Sequence, residues 1–177
     1  MYRMFTPILD ALRAPIENQL HREVDIHMTI FEDYESGIKA LTKGEVDFVR
    51  FGPSSYIVAE ELNPNIQLLA MELQKGVKRF NGLIIAHKDA NIVELSDLNG
   101  KTFAFGDENS AIGRFLSQSL LVDNNITSVS LASFDFLGRH DLVAQAVMTK
   151  SHDAGVVKSS TYKNVCDPEE VIIVRAF

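Results

Sequence analysis

The run Gly106-Asp107-Glu108-Asn109-Ser110-Ala111-Ile112-Gly113 carries the strongest chemical signal in this chain. It follows a short apolar stretch, Thr102 to Phe105, and precedes Phe115, Leu116, Leu120 and Leu121, spaced along one helical face. A polar, glycine-flanked turn from strand to helix leaves backbone N–H groups unpaired at the positive end of the helix dipole. Such a turn can cradle an anion. It can equally be a plain helix start, because Asn109 and Ser110 both carry oxygens that accept from first-turn amides. Both readings stand at this point.

His140 opens a predicted helix, where its imidazole would donate to an oxyanion or cap the first turn. Tyr34 lies at a predicted strand-to-helix turn, either lining a cleft or packing on Ile38. Arg50, Arg114 and Arg139 fall near predicted turns, and a guanidinium there would pair bidentately with an anion. His21, His27, His87 and His152 lack metal-ligand spacing, and Asp47 and Asp153 follow strand-like positions where they would hydrogen-bond turns. No carboxylate pair or Ser/His/Asp arrangement sits in a catalytic motif, and Gly106–Gly113 does not end in the Gly-Lys-Ser/Thr of nucleotide hydrolases. No cofactor, no metal and no catalytic residue are therefore expected.

The chain has 177 residues, enough for one domain or two small lobes. A net charge of −7 argues against a nucleic-acid partner, although a local cradle can still take an anion. No apolar run approaches the ~20 residues of a membrane span, and Met1 to Phe5 carry no signal-peptide pattern. Cys166 is the only cysteine and lies in an acidic loop, which excludes an internal disulfide and makes a poor nucleophile.

Positioning these residues requires an alternation of helices and strands. Helical spacing predicts Phe5 to Leu12, a break at Pro15 and a second short piece from Ile16 to Leu20. Strands are predicted over Val24–Phe31, Val46–Phe51, Ile66–Leu73, Gly82–His87, Thr102–Phe105, Val129–Phe134, Ala154–Val157 and Val171–Phe177. Helices are predicted over Tyr34–Thr42, Tyr56–Leu62, Phe115–Leu121, His140–Thr149 and Ser159–Val165, and Gln74 to Asn81 is read as a loop. The pattern predicts an α/β fold with largely parallel sheets and ligand-binding turns at the carboxyl ends of strands.

Several motifs in register extend this reading. Asp33-Tyr34, Leu41-x-x-Gly44-x-Val46-Asp47 and Gly52-Pro53-Ser54-Ser55-Tyr56 come first, then Leu95-Ser96-Asp97-Leu98-Asn99-Gly100-Lys101-Thr102-Phe103-Ala104-Phe105-Gly106-Asp107. Ser110-Ala111-Ile112-Gly113, Gly138-Arg139-His140-Asp141 and His152-Asp153-Ala154-Gly155 follow. In this order they resemble the phosphonate/phosphite-binding proteins of ABC transporters. The resemblance implies a two-lobed type II periplasmic-binding-protein-like fold, shortened at both ends relative to that family. Residues 1–83 with 171–177 would form lobe I and 84–170 lobe II, closing on ligand by a hinge.

It further implies a non-enzymatic solute-binding protein for a phosphonate-, phosphite- or phosphate-like oxyanion, periplasmic or otherwise extracytoplasmic, working with an ABC permease. Tyr34, Ser54, Ser110, Ala111, Ile112, Gly113 and His140 would bind the ligand, Ala111 and Ile112 through their backbone amides. The family's Ser-Thr-Ser-Gly turn reads Ser110-Ala111-Ile112-Gly113 here, and Phe80 stands where a tyrosine is usual. Two hydroxyls are thus missing from the turn, and Ser160 falls where aminophosphonate binders carry an acid. The alternatives are a sensory module of the same fold with a signalling partner, or an enzyme using His140. A sheet lacking its family's first strand would also invite pairing with a second copy.

Overall fold

The computed structural model describes residues 2–73, 76 and 78–177, so Met1 and part of the loop read from Gln74 lie outside it. The described chain forms two compact units, Met1–Glu32 and Asp33–Phe177. In the first unit, α1 (Tyr2–Leu20) runs unbroken through Pro7 and Pro15. The break expected at Pro15 does not occur. Both proline rings are exposed, and so are Arg3 and Ala11, whose carbonyls each lose an amide partner and can bond water instead. Beyond the helix, Val24, Ile26 and Met28 alternate with exposed neighbours as a half-buried strand would. The backbone there forms no ladder with any described residue, so the strand expected over 24–31 does not form among them.

The second unit begins with α2 (Tyr34–Thr42), capped by Asp33, whose carboxylate accepts from the Ser36 amide at 2.7 Å. Next comes α3 (Pro53–Leu62), with proline in its first turn, where no intrahelical amide is needed. Small residues bury the facing sides, Gly37 and Ala40 of α2 and Ser55 and Ala59 of α3. The strands expected over 46–51 and 66–73 likewise form no ladder among the described residues. In the second segment the apolar side chains stay largely in solvent; Leu68 is 60% and Leu69 78% exposed. Period-two sequence alone does not make a strand when no partner edge is present.

A five-stranded sheet in the order β3-β2-β4-β1-β5 forms the core of this unit. Its strands are β1 (Gly82–His87), β2 (Thr102–Phe105), β3 (Ser133–Phe136), β4 (Ala154–Lys158) and β5 (Val171–Ala176). β2 runs parallel to β3 and β4, whereas β1 is antiparallel to both β4 and β5. The sheet is mixed, not largely parallel, because the chain enters through β1 and ends on β5 beside it. That last strand, expected to return to the first lobe, pairs along β1 from Val171↔His87 to Ala176↔Leu83. β3 also starts later than expected. Residues 129–131 are instead tied to the start of β2 by the Gly100 amide, which donates to the Ser130 carbonyl at 2.7 Å.

Period-two alternation divides the core. Ile84, Ala86, Phe103, Phe105, Ala154 and Val156 face one layer with Leu98, Ile112 and Leu121. Leu83, Ile85, Ala104 and Val157 face the other with Val143, Ala144 and Val147 of α5 (His140–Met148). Each fully buried aliphatic side chain contributes about 1.5–3 kcal/mol. α4 (Ser117–Asp123) and α6 (Ser159–Val165) complete the helices around the sheet.

Candidate functional site

β2 and β4 are parallel, so their carboxyl ends and the turns that follow lie at one end of the sheet. After Phe105 the chain doubles back tightly. The Gly106 amide donates to the Gly113 carbonyl at 2.9 Å. A Cβ on Gly113 would come within 2.9 Å of the Ser110 hydroxyl and 3.0 Å of the Gly106 Cα. Glycine is required here by close approach, with no demand from backbone dihedrals.

Ser110 is the helix cap, 5% exposed, its hydroxyl accepting from the Gly113 amide at 2.9 Å. The capping reading is therefore correct for Ser110. It does not exhaust the turn. Ala111–Leu116 is a π-helical turn running directly into α4, its wide pitch seen in the Phe115 amide donating to the Ser110 carbonyl. The Ala111 and Ile112 amides at its head donate to no described residue. Ile112 meanwhile buries its side chain in the core, which anchors those amides.

Three neighbours converge on this turn. The Ser54 hydroxyl, at the head of α3, donates to the Asn109 carbonyl. Tyr34, the first residue of α2, lies within reach of the Ser110 hydroxyl; burial first, then the Asp107 carboxylate, holds its phenol above the ordinary pKa. The Gly138 amide donates to the Gly106 carbonyl at 3.2 Å, which ties the chain just ahead of α5 to the start of the turn, while His140 lies against the end of β4 at Val156 and Lys158. Tyr34, Ser54, Ser110–Gly113 and His140, scattered over a hundred residues of sequence, are thus gathered at one end of one sheet.

His140 is the unusual member. Both ring nitrogens are buried and neither makes a formed hydrogen bond, although the Val156 carbonyl lies near enough to favour the charged ring slightly. Burial, with repulsion from Lys158, pushes its pKa down to about 4, so the ring is neutral at ordinary pH. Asp107 is pushed the other way, upward, by burial and by Asp33 and Glu108, while its carboxylate accepts from the Asn109 amide at 2.7 Å.

The three arginines singled out from sequence are all engaged within the protein. Arg50 pairs with Glu72 at 2.6 Å, and Arg139 forms a two-pronged contact with Asp141 at 3.0 and 2.6 Å. Arg114 donates to the Glu108 carbonyl at 2.8 Å and stacks over Phe115 and Phe136. Sequence reasoning missed Lys158, the last residue of β4. The signal was there to read: an apolar strand, Ala154 to Val157, ending on a lysine just before Ser159-Ser160. Asp153, expected to hydrogen-bond a turn, instead clasps the head of β2, its carboxylate accepting from the Thr102 amide and hydroxyl at 2.8 and 2.9 Å. No group of acids, histidines and cysteines among the described residues is arranged to hold a metal.

Residues 1–175 match the family model described as "ABC transporter, phosphonate, periplasmic substrate-binding protein". The chain is 25% identical over 171 residues to the "Probable ABC transporter phosphite binding protein PhnD1" of Prochlorococcus marinus (strain MIT 9301), covering 89% of this chain and 56% of that protein. Crystallised with methylphosphonate, PhnD1 superposes with a TM-score of 0.78 at 19% identity, over 100% of this chain and 68% of the other. "Phosphate-import protein PhnD" of Mycolicibacterium smegmatis (strain ATCC 700084 / mc(2)155) is 28% identical over 156 residues, 82% of this chain and 48% of that protein. XAC2383 from Xanthomonas citri, solved with ATP, gives a TM-score of 0.81 at 21% identity, over 99% and 68% of the two chains. The chain spans about half the length of the curated relatives it matches. These likenesses place the fold among type II periplasmic binding proteins, and no described helix is long and apolar enough to cross a membrane.

Proposed function

Because this chain belongs to the periplasmic substrate-binding proteins of phosphonate ABC transporters, we propose that it binds a small phosphonate-, phosphite- or phosphate-like oxyanion without transforming it. Delivery to an ABC permease outside the cytoplasm completes the reading. The observation that carries it is the pair of unpartnered amides, Ala111 and Ile112, at a helix head beside two buried, unpartnered His140 nitrogens. Buried polar groups are almost always hydrogen-bonded, so donors and a ring left open at one place call for a ligand that accepts from them. Tyr34, Ser54, Ser110 and Gly113 would complete the enclosure, Ser110 and Gly113 by shaping the turn. Ligand would enter by opening between the segment bearing Tyr34 and Ser54 and the segment bearing Ser110 and His140.

A thermal-shift screen with methylphosphonate, phosphite, inorganic phosphate, sulfate and simple carboxylates tests this. A ligand at a hundred times its dissociation constant stabilises the folded chain by about 2.7 kcal/mol, which raises the melting temperature by several degrees. The phosphorus oxyanions are expected to do so. Stabilisation by uncharged compounds alone would defeat the assignment.

A further inference from the structure

The turn is open to an anion on one side and guarded by acids on the other. Asp107 lies within the turn, with Asp33 and Glu108 near enough to raise its pKa, and its charge is also felt at Tyr34. Two neutral amides and a neutral imidazole would have to hold an anion against that repulsion, with no full positive charge among them. Each arginine in reach already has a partner within the protein.

Lys158 differs from them all. Lys158 ends β4, and because β4 runs parallel to β2 it lies at the same carboxyl end of the sheet from which the turn after β2 departs. Its ammonium lies over the Phe80 ring at 4.9 Å, and no carboxylate of a described residue is within ion-pairing distance. Burial lowers its pKa, Arg50 lowers it further, and Glu72, itself bound to Arg50, only partly offsets this. It is also the charge that His140 feels. A half-buried cation with an aromatic face and no counter-ion is poorly compensated in the empty protein. An anion in the cradle would supply the missing charge.

We propose that Lys158 is the specificity-determining cation of this site, pairing directly with the ligand and making it favour doubly over singly charged oxyanions. This rests on the solute-binding reading above. The charge takes over the work of the hydroxyls absent at Ala111, Ile112 and Phe80. Hydroxyls bind an anion largely by geometry, whereas an ammonium ion binds in proportion to ligand charge.

Calorimetric titration of the full chain at about pH 9 tests it, with methylphosphonate as the doubly charged probe and its monomethyl ester as the singly charged one. Wild type should bind methylphosphonate more tightly than the ester. Lys158→Met should lose roughly 10- to 100-fold in affinity for methylphosphonate and little for the ester, so that the preference collapses. Lys158→Arg should retain the preference. A Lys158→Met melting temperature at or above that of wild type would show that the loss is not unfolding; should that variant fail to fold, Lys158→Gln serves with the same expectation. Wild-type affinity and preference in the folded variant would overturn the role of Lys158 while leaving the solute-binding reading intact. Failure of the wild-type chain to bind either probe would overturn that reading and this proposal with it.

Discussion

His140 shows how one side chain can report the state of the whole site. Its ring is neutral in the folded chain down to about pH 4, because burial and the Lys158 charge oppose protonation. In the unfolded chain it takes a proton near pH 6.5. Above pH 6.5 neither form binds that proton, and the ring leaves stability independent of pH. As pH falls from 6.5 towards 4 the unfolded chain gains a proton that the folded chain refuses, so stability declines, by up to about 3 kcal/mol before solvent screening. Asp107, with its pKa raised, acts in the opposite direction over the acid range. Comparing wild type with His140→Gln isolates the ring. Urea unfolding at pH 7 and pH 5 should show wild type losing at least about 1 kcal/mol more than the variant. Equal losses would mean that the ring is solvated. Added ligand would compete for the same ring, so this measurement belongs to the ligand-free chain.

The elements that aim these residues depend on tight packing at β4. Gly155, in the middle of that strand, lies between β2 and α5; a Cβ there would approach the Val143 Cγ1 to 2.6 Å and the Ala104 carbonyl oxygen to 2.9 Å. The valine could turn, but the carbonyl belongs to the neighbouring strand and moves only with it. Gly155→Ala should therefore cost about 1–3 kcal/mol, read as a lower denaturation midpoint at unchanged slope. The same displacement would shift Lys158 relative to the turn after β2, so ligand affinity should fall as well. An alanine variant as stable as wild type would show that β2 and β4 can separate cheaply. At the head of the strand, Asp153 clasps Thr102, and the Thr102 hydroxyl also accepts from the Asp153 amide at 2.9 Å, which pins the register on which the site depends.

Across the whole molecule, order is unevenly distributed. Ile84, Ile85, Ala86, Val156 and Val157 are fully buried in β1 and β4, each with ladder partners. Residues 67–73 are exposed and join no ladder with the described residues. Hydrogen exchange follows such differences, since an amide exchanges only when its hydrogen bond opens. The β1 and β4 amides should be the slowest in the protein and those of 67–73 among the fastest, as measured by mass spectrometry of peptide fragments. Slow exchange over 67–73 would mean that this segment finds a strand partner in solution. The overall charge of −7 is spread over the whole chain, and carboxylates more than a Debye length from the turn are largely screened there.

Local chemistry made much of this molecule legible in the sequence alone. β1, β2, β4 and β5, the cap at Ser110, and the turn between Gly106 and Gly113 follow from periodicity, side-chain oxygens and glycine, all of which act within a few residues. The family resemblance carried Tyr34, Ser54 and His140, which the tertiary structure brings beside that turn. Other features were decided only by contacts between distant residues. The antiparallel placement of β1 and β5, the absence of a ladder at 46–51 and 66–73 among the described residues, and the arginines' engagement with Glu72, Glu108 and Asp141 are of this kind. So is the lack of a counter-ion for Lys158. A strand exists only if another edge accepts its hydrogen bonds, and a charge is available only if no partner has reached it first; neither condition is written in the neighbouring residues.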